Sequence, residues 1–172
     1  MYMKKIFIKI IFLLTTCNYI SAEENFYISS NKCTNNLYSV AISTFSGTNI
    51  KVLRDPRGIV LRYQIFTDNY SHYKNLKVIE YFLAKIENPA IIEVHTEKKQ
   101  GKVSGNLKNW EFSTILANEI ESSLISQNSK ISRKRIKSVG YGEFLPIKNT
   151  PNNGGNYTNR IDIIILCNIS GE

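Results

Sequence analysis

A chain of 172 residues with 42% apolar and 11% aromatic content is long enough for one domain with a packed core. The formal net charge is +8, but Lys4, Lys5 and Lys9 belong to a leader-like start, and what remains is a mild basic excess. Such an excess suits an anionic partner without selecting one, and a lysine-rich solvated surface accounts for it most simply.

The chain opens with "MYMKKIFIKIIFLLTTCNYISAEE": a basic start, an apolar run from Ile6 to Leu14 broken only by Lys9, then the small residues Ser21 and Ala22. This is signal-peptide architecture, and the run is too short to span a bilayer as a stable helix. Two processing routes are open. Cleavage after Ala22 releases a soluble domain. Alternatively "LLTTC" resembles a bacterial lipobox ending at Cys17, with Thr16 a poor fit before the cysteine. Either route leaves Cys33 and Cys167, an even pair that in an exported protein is a disulfide candidate or else two partly buried thiols. No C-x-x-C spacing is present, and no second long apolar run follows.

Residues 23–49 are rich in Asn, Ser and Thr and read as an irregular N-terminal arm, with "LYSVAISTF" (37–45) as a short strand at most. "NIKVLRDPRGIVLRYQIF" reads as a hairpin, because Asp55-Pro56-Arg57-Gly58 has Pro at the second turn position and Gly at the fourth. In "SHYKNLKVIEYFLAKIENP", Leu76, Ile79, Leu83 and Ile86 recur at helical spacing until Asn88-Pro89 stops the helix. "AIIEVHT" is a short β-branched strand and "KKQGKVSG" a basic loop. "NLKNWEFSTILANEIESSLI" (106–125) reads as the opening of a helix that runs to about Gln127, a helix expected over 108–126. "RIKSVGYGEFLPI" holds a strand and a turn, "NTPNNGGNYTN" is a loop, and "RIDIIIL" is a final strand. Strands alternating with helices predict an α/β sandwich of βαβαβ type, helices on one face of a small mixed sheet, over residues 50–168. The last strand is apolar at nearly every position and is expected inside the sheet, covered on both sides.

Asn109, Ser113 and Leu116 fall at i, i+4 and i+7 on one side of the second helix, near its N-terminal end, where free N–H groups suit a carboxylate. Enzyme constellations are lacking: there are two histidines, His72 and His95, and no serine elbow, P-loop or paired-carboxylate pattern. Nothing indicates a cofactor or a metal. The basic cluster Lys130–Lys137 lacks an aromatic-studded strand or a recognition helix, so nucleic acid is not an expected partner and a solvated turn is the better reading.

Four segments, "EVHTE", "NWEFSTILAN", "SVGYGEFLPI" and "NRIDIIIL", follow one another in an order that resembles the OmpA/MotB C-terminal domain. That family reads G-H-T-D, N-x-x-L-S-x-x-R-A, G-Y-G-E-x-x-P and N-R-R-V-x-I. "NWEFS" looks especially like the flagellar stator member. The resemblance implies non-covalent binding of peptidoglycan, centred on the diaminopimelate of the stem peptide. It implies a ligand site of Thr96, Glu97, Asn109, Ser113 and Arg160, with Glu97 receiving the ammonium group where the family has Asp. The helix arginine that holds the carboxylate in the family is Leu116 here, and the final motif is one residue short, with Asn159 and Arg160 in the places of its two arginines. Arg160, Lys98, Lys99 or Lys102 would then have to substitute for the missing cation. The implied setting is the periplasm, with an optional lipid anchor in the outer membrane at Cys17 and an envelope machine such as a motor or secretion system as partner. The alternative is a degenerate domain of the same fold that serves as a structural or interaction module without cell-wall binding.

Overall fold

A computed structural model describes residues 31–65, 69–96, 108–145 and 159–167, with residues 69–71 described by backbone alone. The elements in chain order are α1 (31–44), β1 (Lys51–Asp55), β2 (Gly58–Gln64), α2 (Asn69–Leu83), β3 (Ala90–His95), α3 (Asn109–Gln127), β4 (Ile136–Gly142) and β5 (Arg160–Leu166). The five strands form one mixed sheet in the order β1-β2-β5-β3-β4. β5 pairs antiparallel with both β2 and β3, while β3 and β4 are parallel and joined through α3. This is the expected α/β sandwich, and β5 takes the expected interior place, with Arg160 to Ile165 all buried.

The sequence dictates this layering. Ile161, Ile163 and Ile165 of β5, Ile92 and Val94 of β3, and Ile59, Leu61 and Tyr63 of β2 share one apolar cluster with the inward sides of the helices. The alternate positions of β5 and β2, Asp162, Ile164, Val60 and Arg62, point to the other face, as a strand period of two requires. On the helix side, Leu76, Ile79 and Leu83 of α2 bury as their spacing predicts. α2 stops at Leu83, however, so Ile86 lies beyond it. Arg135 holds that end. Its Nη2 donates to the carbonyls of Leu83, Ile86 and Asn88 at 3.3, 2.6 and 3.0 Å, occupying oxygens the helix leaves open.

Residues 31–44 correct the sequence reading. They are helical, neither an irregular arm nor a strand. Leu37, Ala41 and Phe45 recur every four residues and enter the core, where the Phe45 ring lies 5.3 Å from that of Phe82. Cys33 and Cys167 form a disulfide with 5.7 Å between Cα atoms, fastening α1 to the end of β5. Asn88 Nδ2 donates to the Leu166 carbonyl at 2.9 Å in the same corner.

The turn between β1 and β2 is the one the sequence predicts, with the Arg57 N–H donating to Asp55 Oδ1 at 2.9 Å. A tighter contact occurs between α3 and β4. A Cβ added at Gly140 would stand 2.2 Å from the Thr114 backbone nitrogen, so the helix lies directly on the strand. Gly140→Ala is expected to lower stability by about 3 kcal/mol or more, because backbone rather than a flexible side chain must move. A urea titration followed by far-UV circular dichroism reads this as a lower midpoint at unchanged slope.

Candidate functional site

Four of the five residues assigned to the site converge on one segment, Gly142–Leu145, at the end of β4. The Thr96 N–H donates to the Gly142 carbonyl at 2.8 Å. The Ser113 hydroxyl accepts the Gly142 N–H at 2.9 Å and donates to the Trp110 carbonyl at 3.0 Å. Asn109 Nδ2 donates to a Glu143 carboxylate oxygen. Arg160 Nη2 donates to the Leu145 carbonyl at 3.2 Å. Thr96, Asn109, Ser113 and Arg160 are all buried. Glu97, Lys98, Lys99 and Lys102 lie outside the described residues.

Local backbone explains the convergence. β3 and β4 slip register after Val94, so that His95 pairs with Gly142 and Tyr141 is the extra residue. A bulge bends its strand and re-aims the residues that follow. Gly142 completes the bend with φ +54°, a conformation that favours glycine, and a Cβ there would meet the Trp110 backbone at 3.0 Å. The start of α3 therefore seats against the end of β4. Glu111 accepts the Lys108 backbone N–H at 2.7 Å, and the N-cap lysine offers its first turn no acceptor.

Two polar atoms have no partner at this spot. Thr96 Oγ1 and Asn109 Oδ1 are both buried and make no hydrogen bond. A buried, unsatisfied group costs free energy unless a ligand or water completes it. Both residues are tied to the same strand end, Thr96 through its N–H to Gly142 and Asn109 through its amide to Glu143. Ser113 is different: it is fully buried, and its hydroxyl both donates and accepts within the fold. It positions the bend. Leu116 is partly buried against the core, beside the inward row of Asn109, Ser113, Ala117, Ile120 and Leu124.

Arg160 also belongs to a buried network on the sheet face away from the core cluster. Its Nε donates to Asp162 Oδ2 at 2.9 Å, while Arg62 grips the same carboxylate with Nε at 2.7 Å and Nη2 at 2.8 Å. Arg57 Nη1 lies 2.9 Å from Glu93 Oε1, and His95 Nε2 lies 3.5 Å from Glu93 Oε2. The His95 ring stacks on Tyr141 with centroids 5.1 Å apart. Glu93, His95 and Asp162 place potential metal-ligand atoms within 4.8 Å of one another. Three guanidinium groups already engage these two carboxylates, so a metal cation would have to displace arginines, and the cluster reads as an ion-pair network.

Burial acts on Glu93 to raise its pKa, but His95 and Arg57 outweigh it and the net shift is downward; Asp55 is likewise lowered by Arg57 against its own burial. Burial lowers the pKa of His72, with Glu119 opposing. All three groups bind protons more readily in the unfolded chain, so their contributions are present at neutral pH and lost on acidification. Thermal stability should fall first as pH drops below the ordinary histidine value of 6.5, and again below the carboxylate values of 4.5 and 3.8. A melting-temperature series from pH 8 to pH 3 checks this. A higher melting temperature at pH 4 than at pH 7 would contradict it.

Sequence reasoning missed Glu143, the glycine seat at Gly140 and Gly142, and the Arg62–Asp162 pair. The "GYGE" string carried the first two; the third depends on the cross-strand partnership of Arg62 with Asp162, which only the sheet register reveals.

The fold matches that of solved domains of the OmpA/MotB kind. The cell wall anchor of the T6SS from Pseudomonas aeruginosa superposes with a TM-score of 0.57 at 15% identity, covering 76% of this chain and 94% of that one. A putative MotB-like protein from Desulfovibrio vulgaris gives 0.67 at 18% identity, over 82% of this chain and 94% of that one. The periplasmic domain of Helicobacter pylori MotB gives 0.57 at 15% identity, over 68% and 81%. No protein-family model and no curated protein sequence matches the chain.

Proposed function

We propose that this chain is a periplasmic module that binds peptidoglycan non-covalently and anchors an envelope assembly to the cell wall. The observation that carries the reading is the pair of buried, unpartnered acceptor-bearing groups, Thr96 Oγ1 and Asn109 Oδ1, beside the open first turn of α3. Helix N–H groups suit the carboxylate of an amino-acid head group, and Glu97, next in the chain after Thr96, supplies a charge for its ammonium. The fold shared with a cell wall anchor and with MotB periplasmic domains supports the same assignment. An outer-membrane lipoprotein form, attached through Cys17, is consistent with the leader.

A second reading, an interaction module of this fold without cell-wall affinity, draws on Leu116. Where the family has the arginine that clamps the ligand carboxylate, this chain packs an apolar side chain against its core.

The single tryptophan provides a direct test. Trp110 lies in the first turn of α3, is half exposed and adjoins Gly142. Titration with a diaminopimelate-containing stem peptide should change its fluorescence saturably, and a lysine-containing stem peptide should do so far more weakly, since lysine lacks the second amino-acid head group. Identical responses to the two peptides would rule out head-group recognition. No response to either would favour the interaction module.

A further inference from the structure

The opposite pole of the domain gathers five exposed cations: Lys32, Lys85, Lys130, Arg133 and Lys134. They come from three segments that the fold ties together: α1, the turn after α2 and the connection from α3 to β4. Arg135, next to Lys134, bonds the last carbonyls of α2 and that of Asn88, just beyond Lys85. Asn88 in turn reaches the Cys33 sulfur at 3.6 Å, which brings Lys32 to the same end. Asn128 Nδ2 donates to Glu80 Oε1 at 3.2 Å and its Oδ1 accepts the Lys130 N–H, seating the last turn beside α2. Glu87 is an exposed acid in this group, so positive charge dominates. Tyr81 is 56% exposed, with Lys85 Nζ 4.2 Å from its ring centroid. Exposed tyrosine beside lysine is the composition of a surface that meets a membrane interface.

The chain route gives this pole its partner. Residues 1–30, with the apolar run Ile6–Leu14 and Cys17, precede Lys32, and the Cys33–Cys167 bridge fixes that exit point at the basic pole. A domain held at a membrane by its N-terminal segment presents this pole to the lipid and leaves the α3 start, at the other end of the sheet, facing away from it. We propose that the Lys32–Lys85–Lys130–Arg133–Lys134 pole binds anionic phospholipid headgroups. A lipid anchor and a basic patch together hold a protein to a membrane better than either does alone.

The test is co-sedimentation of the full chain, purified as exported, with phosphatidylcholine vesicles and with vesicles containing 30% phosphatidylglycerol. Any insertion of the N-terminal segment contributes to both, so the contrast between them isolates the headgroup effect. Binding should be stronger to the anionic vesicles and weaken as salt rises. In the doubly substituted protein Arg133→Ser, Lys134→Ser, that preference should fall by about 30-fold. Both residues are exposed, and an unchanged melting temperature confirms that the fold is kept. Equal binding to the two vesicle types, an undiminished preference in the double variant, or tighter binding to a DNA duplex than to anionic vesicles would each overturn the proposal. The site at the start of α3 plays no part in this assay, so its outcome is independent of the cell-wall reading.

Discussion

Cys33→Ser lowers the stability of the domain by about 4 kcal/mol, and reduction of the wild type does the same. The bridge spans 134 residues, so it restricts nearly the whole unfolded chain. The folded state loses less, because Leu37, Ala41 and Phe45 still hold α1 against Phe82 and the sheet. For a domain of this size the loss should appear as a melting point lower by roughly 10–15 °C. Comparing denaturation of oxidised and reduced protein checks the size. Non-reducing mass spectrometry of protein exported through its own leader and purified without reductant checks the bond itself, and two free thiols there would refute it.

Leu116→Arg is the second large effect. It is expected to strengthen retention on the cell wall by about ten- to a hundredfold, the equivalent of one charged hydrogen bond at about 1.5–3 kcal/mol. Leu116 is partly rather than fully buried, and it stands beside the inward row of α3 instead of within it. A long arginine stem can lie along that apolar flank with its head toward the first turn of the helix. Giving up the leucine's packing costs some stability, so the variant should melt lower while binding better. Binding gained together with stability lost is hard to produce by general damage, and a control spun without sacculi excludes pelleting by aggregation. Lower stability with unchanged binding would mean that the arginine does not reach the pocket.

The parts of the fold legible in the sequence were those with a strong local signature. "RIDIIIL" could hardly be anything but a covered strand, and it became the middle strand of the sheet. Asp55-Pro56-Arg57-Gly58 named its own turn, and the helix expected over 108–126 lies within a residue of α3 at either end. α1 was illegible because its buried stripe is thin. Leu37, Ala41 and Phe45 are scattered among Asn, Ser, Thr and β-branched residues whose intrinsic preferences disfavour a helix, and tertiary packing overrides them. The early end of α2 was hidden because Arg135, about 50 residues further on, supplies its stop.

The site was half legible. Short motifs identified Thr96, Asn109, Ser113 and Arg160, and the structure gathers all four around Gly142–Leu145. Motifs carried no sign of how each side chain is spent. Ser113 is consumed in seating the strand end, and Arg160 is divided between Asp162 and Leu145. Thr96 and Asn109 keep buried polar atoms without partners. These distinctions rest on pairings between strands and on a one-residue bulge, both products of the assembled sheet.

Co-sedimentation with purified diaminopimelate-type sacculi tests the central claim most directly, with wild-type protein run beside Glu97→Ala. Wild-type protein is expected to pellet with the sacculi and Glu97→Ala to stay in the supernatant while melting at an unchanged temperature, because the proposed function assigns the ligand's ammonium to the Glu97 carboxylate. Equal retention of the two proteins, or wild-type protein left wholly in the supernatant, would contradict it.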